Sequence, residues 1–201
     1  MSTFEQRAHI ALNDVVLQKN LKRGMNYFVN ARVTALAATG DPIGLRQRGK
    51  AIRDEAIAHL DTHLSRLAAM VEQNGGTVHW AGDAAEARAI ILAIAKREGV
   101  KRVVKSKSMA TEEIHLNPAL EAANIEVVET DLGEYIAQQA KEPPAHIIAP
   151  IVHKNKEQVA EVMSRVAGRP IPADPLELNN FARATLREKF LSAEMGITGA
   201  N

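Results

Sequence analysis

From Val103 to Lys154 the chain reads VVKSKSMATEEIHLNPALEAANIEVVETDLGEYIAQQAKEPPAHIIAPIVHK. Three short apolar runs stand in it: Val103-Val104, Ile125–Val128 and His146–Ala149. Each is followed at once by a polar cluster, and the segments between the runs have helical character. Short apolar strands alternating with helices predict a parallel sheet covered by helices. In such sheets ligands sit beyond the carboxyl ends of the strands. The three polar clusters fall where those ends should be. They are Lys105-Ser106-Lys107-Ser108, Glu129-Thr130-Asp131 and His153-Lys154.

Reading outward, the pattern extends in both directions. Thr77–Trp80 is a short strand candidate, and Asp83 with Glu86 has capping-box spacing at the start of a helix. Strand 101–104, helix 109–123, strand 125–129, helix 131–141, strand 146–149 and helix 155–167 follow. Together these make four strand–helix units. Arg169 to Pro175 is a proline-rich linker, and Asp174-Pro175-Leu176-Glu177 is a helix start. Ile197-Thr198 opens another strand candidate, so the sheet reads as interrupted at the carboxyl end of the chain.

Upstream the pattern is helical. Val29, Val33 and Leu36 fall on one face, with Gly24 a candidate break. Asp41-Pro42-Ile43-Gly44 is a turn. Ile52, Ala56, Leu60, Leu64, Leu67 and Val71 then predict one long amphipathic helix, ended by Asn74-Gly75-Gly76. The division expected is a helical prefix over 1–74 and an α/β domain over 75–201.

Composition narrows the function classes. The chain has 201 residues, 46% of them apolar, enough for one α/β domain with a sizeable core. Its net charge of +1 argues against a dedicated nucleic-acid binder, and its few aromatics offer no base-stacking platform. Lys96, Arg97, Lys101 and Arg102 straddle a helix end, where cations match the helix dipole. No apolar run reaches membrane-spanning length and the first residues lack a signal-peptide pattern, so a cytoplasmic location is expected. Cysteine is absent, which removes both disulfides and thiolate ligands for a cluster. No G-x-G-x-x-G or P-loop string is present. His59 and His63 have metal-competent spacing, but no glutamate follows His59 in the zincin manner, and no metal site is expected.

The strand-end clusters carry the chemistry. Lys105, Ser106, Lys107 and Ser108 bring two ammonium groups and two hydroxyls to a helix N-terminus, where free N–H groups and the dipole favour an anion. The alternative is a basic loop with a serine cap, its lysines neutralised by Glu112 and Glu113. Glu129 is a candidate base or orienting group, beside Thr130, while Asp131 reads as a helix cap. His153, with Lys154, reads either as a general base or metal ligand or as a capped, solvated histidine. These eight residues, Lys105 to Ser108, Glu129, Thr130, His153 and Lys154, are the candidate ligand-binding set.

The strings KSKSMATEEIHLNPALE, VVETDLGEYIAQ and PAHIIAPIVHK closely resemble the LUD domain of lactate-utilisation proteins. The upstream strings ALNDVVLQKNL, RGKAIRDEAIAHLDTHL and NGGTVHWAGDAAEA resemble the iron–sulfur subunit type of that family. The resemblance implies a fold like that of sugar isomerases and CoA-transferases. It implies a three-subunit system oxidising L-lactate to pyruvate, and two [4Fe–4S] clusters held by cysteine motifs that this chain lacks. It implies that the chain matches an N-terminal portion of such a subunit, with the LUD domain cut before its last strands. It assigns no catalytic residue. The expected partners are the other lactate-utilisation subunits, a small carboxylate and a second copy of the chain. Two function classes stand: part of an electron-transfer subunit of a lactate-oxidising complex, or a carboxylate-binding or assembly module without its own chemistry. An isomerase or acyl-CoA transferase activity rests on fold analogy alone.

Overall fold

The computed structural model describes residues 3–145 and 148–199. Among them are ten helices and three strands. The helices are α1 (Phe4–Asn13), α2 (Val15–Ala37), α3 (Pro42–Ala58), α4 (Leu60–Gln73), α5 (Ala84–Arg97), α6 (Met109–Glu113), α7 (Leu116–Ala122), α8 (Leu132–Ala140), α9 (Lys156–Ala167) and α10 (Pro175–Leu191). The strands are β1 (Arg102–Lys105), β2 (Glu126–Glu129) and β3 (Met195–Ile197). They form one parallel sheet in the order β2-β1-β3. The fold is α/β: a small parallel sheet flanked by helices, with helices before it, as the sequence pattern predicts. The strand candidate at Ile197 is real and pairs with the central strand through Val103↔Met195, Val104↔Gly196 and Lys105↔Ile197.

The chain divides into two compact units, Met1–Lys22 with Ala81–Asn201, and Arg23–Trp80. The first holds the sheet and two apolar cores. One lies on the α5 and α7 side of the sheet and contains Ala95, Val103, Leu116, Leu120, Ile125 and Val127. Leu116 and Leu120 are fully buried, each contributing about 1.5–3 kcal/mol by leaving water. The other joins α8, α9 and α10 through Tyr135, Ile136, Val159, Val162, Met163, Leu178 and Ala182. The second unit carries α3 and α4, in which no residue is fully buried. Ile52, Ile57, Leu60, Leu67 and Met70 are all more than half-exposed or close to it.

Five expectations are corrected. Thr77–Trp80 does not form a strand; it pairs with no described residue, and Trp80 is exposed. The expected helix 109–123 is two helices. Pro118 has no N–H to donate to Ile114, and its ring would clash with that carbonyl in a continuous helix. The chain therefore turns at His115, in the left-handed region at φ 52°, and Pro118 sits in the first turn of α7, where no donor is missed. Arg88 Nη1 donates to the freed Ile114 carbonyl at 2.7 Å. The expected long helix over 52–71 is broken at His59 into α3 and α4. Gly24 does not break α2. Of the expected strand 146–149, His146 and Ile147 lie outside the described residues, and Ile148 and Ala149 stand in turns rather than in the sheet. Among the described residues two strand–helix units, not four, build this part of the sheet.

Caps match the sequence signals closely. Asp83, Ser108, Asp131, Asn155 and Asp174 each accept N-terminal amide hydrogens of the helix that follows. Each such cap contributes about 1 kcal/mol. Asn155 and Gln158 complete a reciprocal capping box.

Candidate functional site

The parallel register of β1 and β2 makes Lys105 the partner of Glu129, and the loops beyond them leave the same edge of the sheet. Successive side chains of a strand point to opposite faces. Lys105 and Glu129 therefore go with Val103 and Val127 toward α6 and α7. Ser106 and Thr130, one residue on, go with Val104 and Val128 toward the opposite face. The pleat splits the polar clusters into two sites.

The first site is a buried ion pair. Lys105 Nζ lies 2.8 Å from Glu129 Oε1, with the two side chains 1% and 4% exposed. The same ammonium lies 3.0 Å from Thr111 Oγ1 and 3.3 Å from Glu112 Oε1. An ammonium has three donors, and each faces an acceptor here. Asn117 Nδ2 donates to Glu129 Oε1 at 2.8 Å. Gln138 bridges from the other side, its Oε1 accepting from Glu129 N and its Nε2 donating to Val127 O. Glu129 Oε2 and Asn117 Oδ1 are buried with no hydrogen-bond partner among the described residues. Ser108 is buried and caps α6 by accepting from Thr111 N at 3.2 Å. Gly199 passes so close to it that a Cβ there would fall 2.0 Å from Ser108 Oγ. Lys107 is half-buried and makes no ion pair among the described residues.

The second site is open. Ser106 and Thr130 line a cleft of about 260 Å³ with Val104, Phe190, Gly196, Ile197 and Thr198. Ser106 N donates to Ile197 O at 2.9 Å, and the Ser106 and Thr198 hydroxyls are 2.8 Å apart. Thr130 closes the strand end from its side, its N and Oγ1 both donating to Lys105 O. An adjoining cleft of about 390 Å³ is lined by Thr130, Arg183, Leu186, Arg187, Phe190 and Leu191.

His153 and Lys154 stand apart from both. His153 Nε2 is 3.0 Å from Glu142 Oε2, and Lys154 Nζ donates to Glu142 Oε1 at 2.8 Å. Burial raises the Glu142 carboxyl, but the hydrogen bonds from Lys154 and His153 outweigh it and hold the group below its usual 4.5. Asn20 Nδ2 donates to the His153 carbonyl. No hydrogen bond or ion pair among the described residues joins this triad to Lys105 or Glu129. The structure thus brings together Lys105, Ser106, Ser108, Glu129 and Thr130 at one sheet edge. Arg183 and Arg187 escaped the sequence reading. Their signal, two cations four residues apart on a helix near the chain's end, became legible only when α10 was placed beside Thr130.

The donor set decides what these residues hold. Without cysteine the chain offers no thiolate for an iron–sulfur cluster, and no three histidine, aspartate or glutamate side chains group as metal ligands among the described residues. No described helix is long and apolar enough to cross a membrane.

The sequence model of the LUD domain family matches residues 64–201. The chain is similar to Lactate utilization protein B of Bacillus pumilus (strain SAFR-032), 42% identical over 199 residues, covering 98% of this chain and 42% of that protein. The same figures hold for Lactate utilization protein B of Lysinibacillus sphaericus (strain C3-41). The Bacillus cytotoxicus protein of that name is 40% identical over 198 residues. The chain spans less than half the length of these curated relatives. No solved structure matches it.

Proposed function

Since the chain belongs to the LUD domain family, we propose that it serves lactate utilisation as the LUD portion of a lactate-oxidising subunit. The observation that carries this is the 42% identity to Lactate utilization protein B along 98% of the chain, helical prefix included. In this reading the module holds a small carboxylate at the carboxyl edge of the sheet. Ser106 and Thr130 supply hydroxyls to the cleft, and Lys107, next to Ser106 and without an ion-pair partner among the described residues, supplies an ammonium from the same loop. Lys105 and Glu129 spend their charges on each other and fix the two loops, so they position the site rather than contact the ligand. Transfer of electrons from lactate through iron–sulfur clusters is assigned to polypeptide other than these residues, because they carry no cysteine ligand. The other subunits of the lactate system are its partners.

A second reading is supported by one feature. Phe4, Ile10, Leu12 and Val15 on α1 and α2 are about two-thirds or more exposed, as are Ile52 and Ile57 on α3. Apolar helix faces of this kind suit subunit assembly, so the helices before the sheet are docking elements for a partner subunit or a second copy.

The test is L-lactate-dependent dye reduction by the full-length protein with its companion subunits, prepared without oxygen. Lactate-dependent reduction that fails when this chain's polypeptide is omitted supports the reading. Equal reduction without it overturns the reading.

A further inference from the structure

Arg183 and Arg187 lie four residues apart on α10 and both line the 390 Å³ cleft. Neither makes an ion pair or hydrogen bond with any described residue, and both are exposed. Like charges at this spacing weaken a helix, and nothing in the fold draws stability from them. Two acidic side chains of the sheet side, Asp131 and Glu126, are engaged elsewhere. Asp131, next to Thr130, accepts the amides of Gly133 and Glu134. Glu126 is held by Lys189 and Arg102. Two planar guanidinium groups with spare donors fit an oxygen anion bidentately. Beside them Leu186, Phe190 and Leu191 give the cleft an apolar floor, and Phe190 stays 60% exposed. The volume falls within the range of about 300–1,000 Å³ typical of pockets for whole organic ligands, larger than a three-carbon acid needs.

We propose that this cleft binds an organic anion with an apolar or aromatic body, its charged oxygens on Arg183 and Arg187 and its body along Phe190. The site is separate from the small-carboxylate cleft, with which it shares Thr130 and Phe190 as a common wall. Two ligands held there would be neighbours, as a substrate and a cofactor are. The assignment does not depend on lactate being the first of them. A phosphate and a carboxylate offer the guanidinium groups the same chemistry.

The experiment is isothermal titration of the chain with phenyl phosphate, benzoate, inorganic phosphate and L-lactate. Phenyl phosphate or benzoate should bind saturably and more tightly than inorganic phosphate, and which of the two is tighter identifies the head group. R183Q and R187Q should each weaken that binding roughly tenfold. F190S should remove the advantage over inorganic phosphate. R46Q/K50Q, which removes equal charge from α3, should change nothing. Circular dichroism verifies that the variants keep their helices. Absence of saturable binding, binding that survives R183Q/R187Q, or equal loss in R46Q/K50Q would overturn the proposal. Displacement of phenyl phosphate by L-lactate in direct competition would overturn the separateness of the two sites. Failure of L-lactate to bind at all would count against the carboxylate cleft and leave this one standing.

Discussion

Lys105 Nζ and Glu129 Oε1 are 2.8 Å apart, on residues that are register partners of neighbouring parallel strands, and both side chains are almost completely withdrawn from water. A buried pair of this kind costs about as much to desolvate as it returns, but breaking it leaves a lone buried charge. Glu129→Leu and Lys105→Met alone should each destabilise the chain by about 3–5 kcal/mol. The double variant should recover most of that loss. Urea unfolding of the three variants measures it, and additive losses would show that the two groups do not act as a pair.

Lys107 is the cation of the loop without an ion-pair partner among the described residues. Lys107→Ala should leave the unfolding midpoint within about 0.5 kcal/mol of the parent. In the full-length protein it should lower lactate kcat/KM by the value of one charge-assisted hydrogen bond, about 1.5–3 kcal/mol. Steady-state kinetics beside a denaturation curve separates the two effects. An unchanged kcat/KM would remove Lys107 from the site.

The Glu142 triad sets a pH dependence. Its carboxyl is held below 4.5 in the folded chain, with burial opposing and Lys154 and His153 prevailing. The unfolded chain therefore takes up the proton first as pH falls. The stabilisation is complete above about pH 4.5 and is lost as pH drops through the lower folded value. The group is partly exposed, which screens the effect. Thermal unfolding of parent and Glu142→Gln should differ at pH 6, by an amount that shrinks as pH falls from 4.5 through the lowered folded value. A gap that stays the same over that range would contradict the assignment.

The sheet and its edge were legible because strand, cap and turn each leave a local signature. Val103-Val104 and Ile125–Val128 stand out as apolar runs, and Asp83, Asp131 and Asp174 announce the helices they cap. The break at His115 was also written in the chain, in Pro118, whose missing donor rules out a helix running through Ile114. The failures have a common origin in tertiary partners. Thr77–Trp80 reads like a strand, but a strand exists only where another pairs with it, and no described residue does. The order β2-β1-β3 could not be read locally, since β3 returns to pair with the central strand β1 across the whole of α8, α9 and α10. For the site, the run Lys105–Ser108 is visible, but the pleat that turns Lys105 inward and Ser106 to the opposite face takes effect only once the end of β1 is placed. The Arg183–Arg187 pair lay beyond reach because its meaning comes from Thr130, more than fifty residues away.

The exposed apolar side chains of α1 to α3 give an expectation about assembly. Phe4 and Val15 are each about three-quarters exposed. Multi-angle light scattering should return a mass above that of one chain, rising with concentration. Phe4→Ser with Val15→Ser should shift it toward the monomer. A monomer at every concentration would contradict an assembly role for these helices.

If the proposed function holds, cells need this polypeptide to use lactate. The most direct measurement is lactate consumption by cells from which the coding stretch for these residues has been removed in frame. Such cells should leave L-lactate in the medium while consuming pyruvate normally, and the intact gene should restore consumption. Unchanged consumption of L-lactate in the deletion strain would contradict the proposed function.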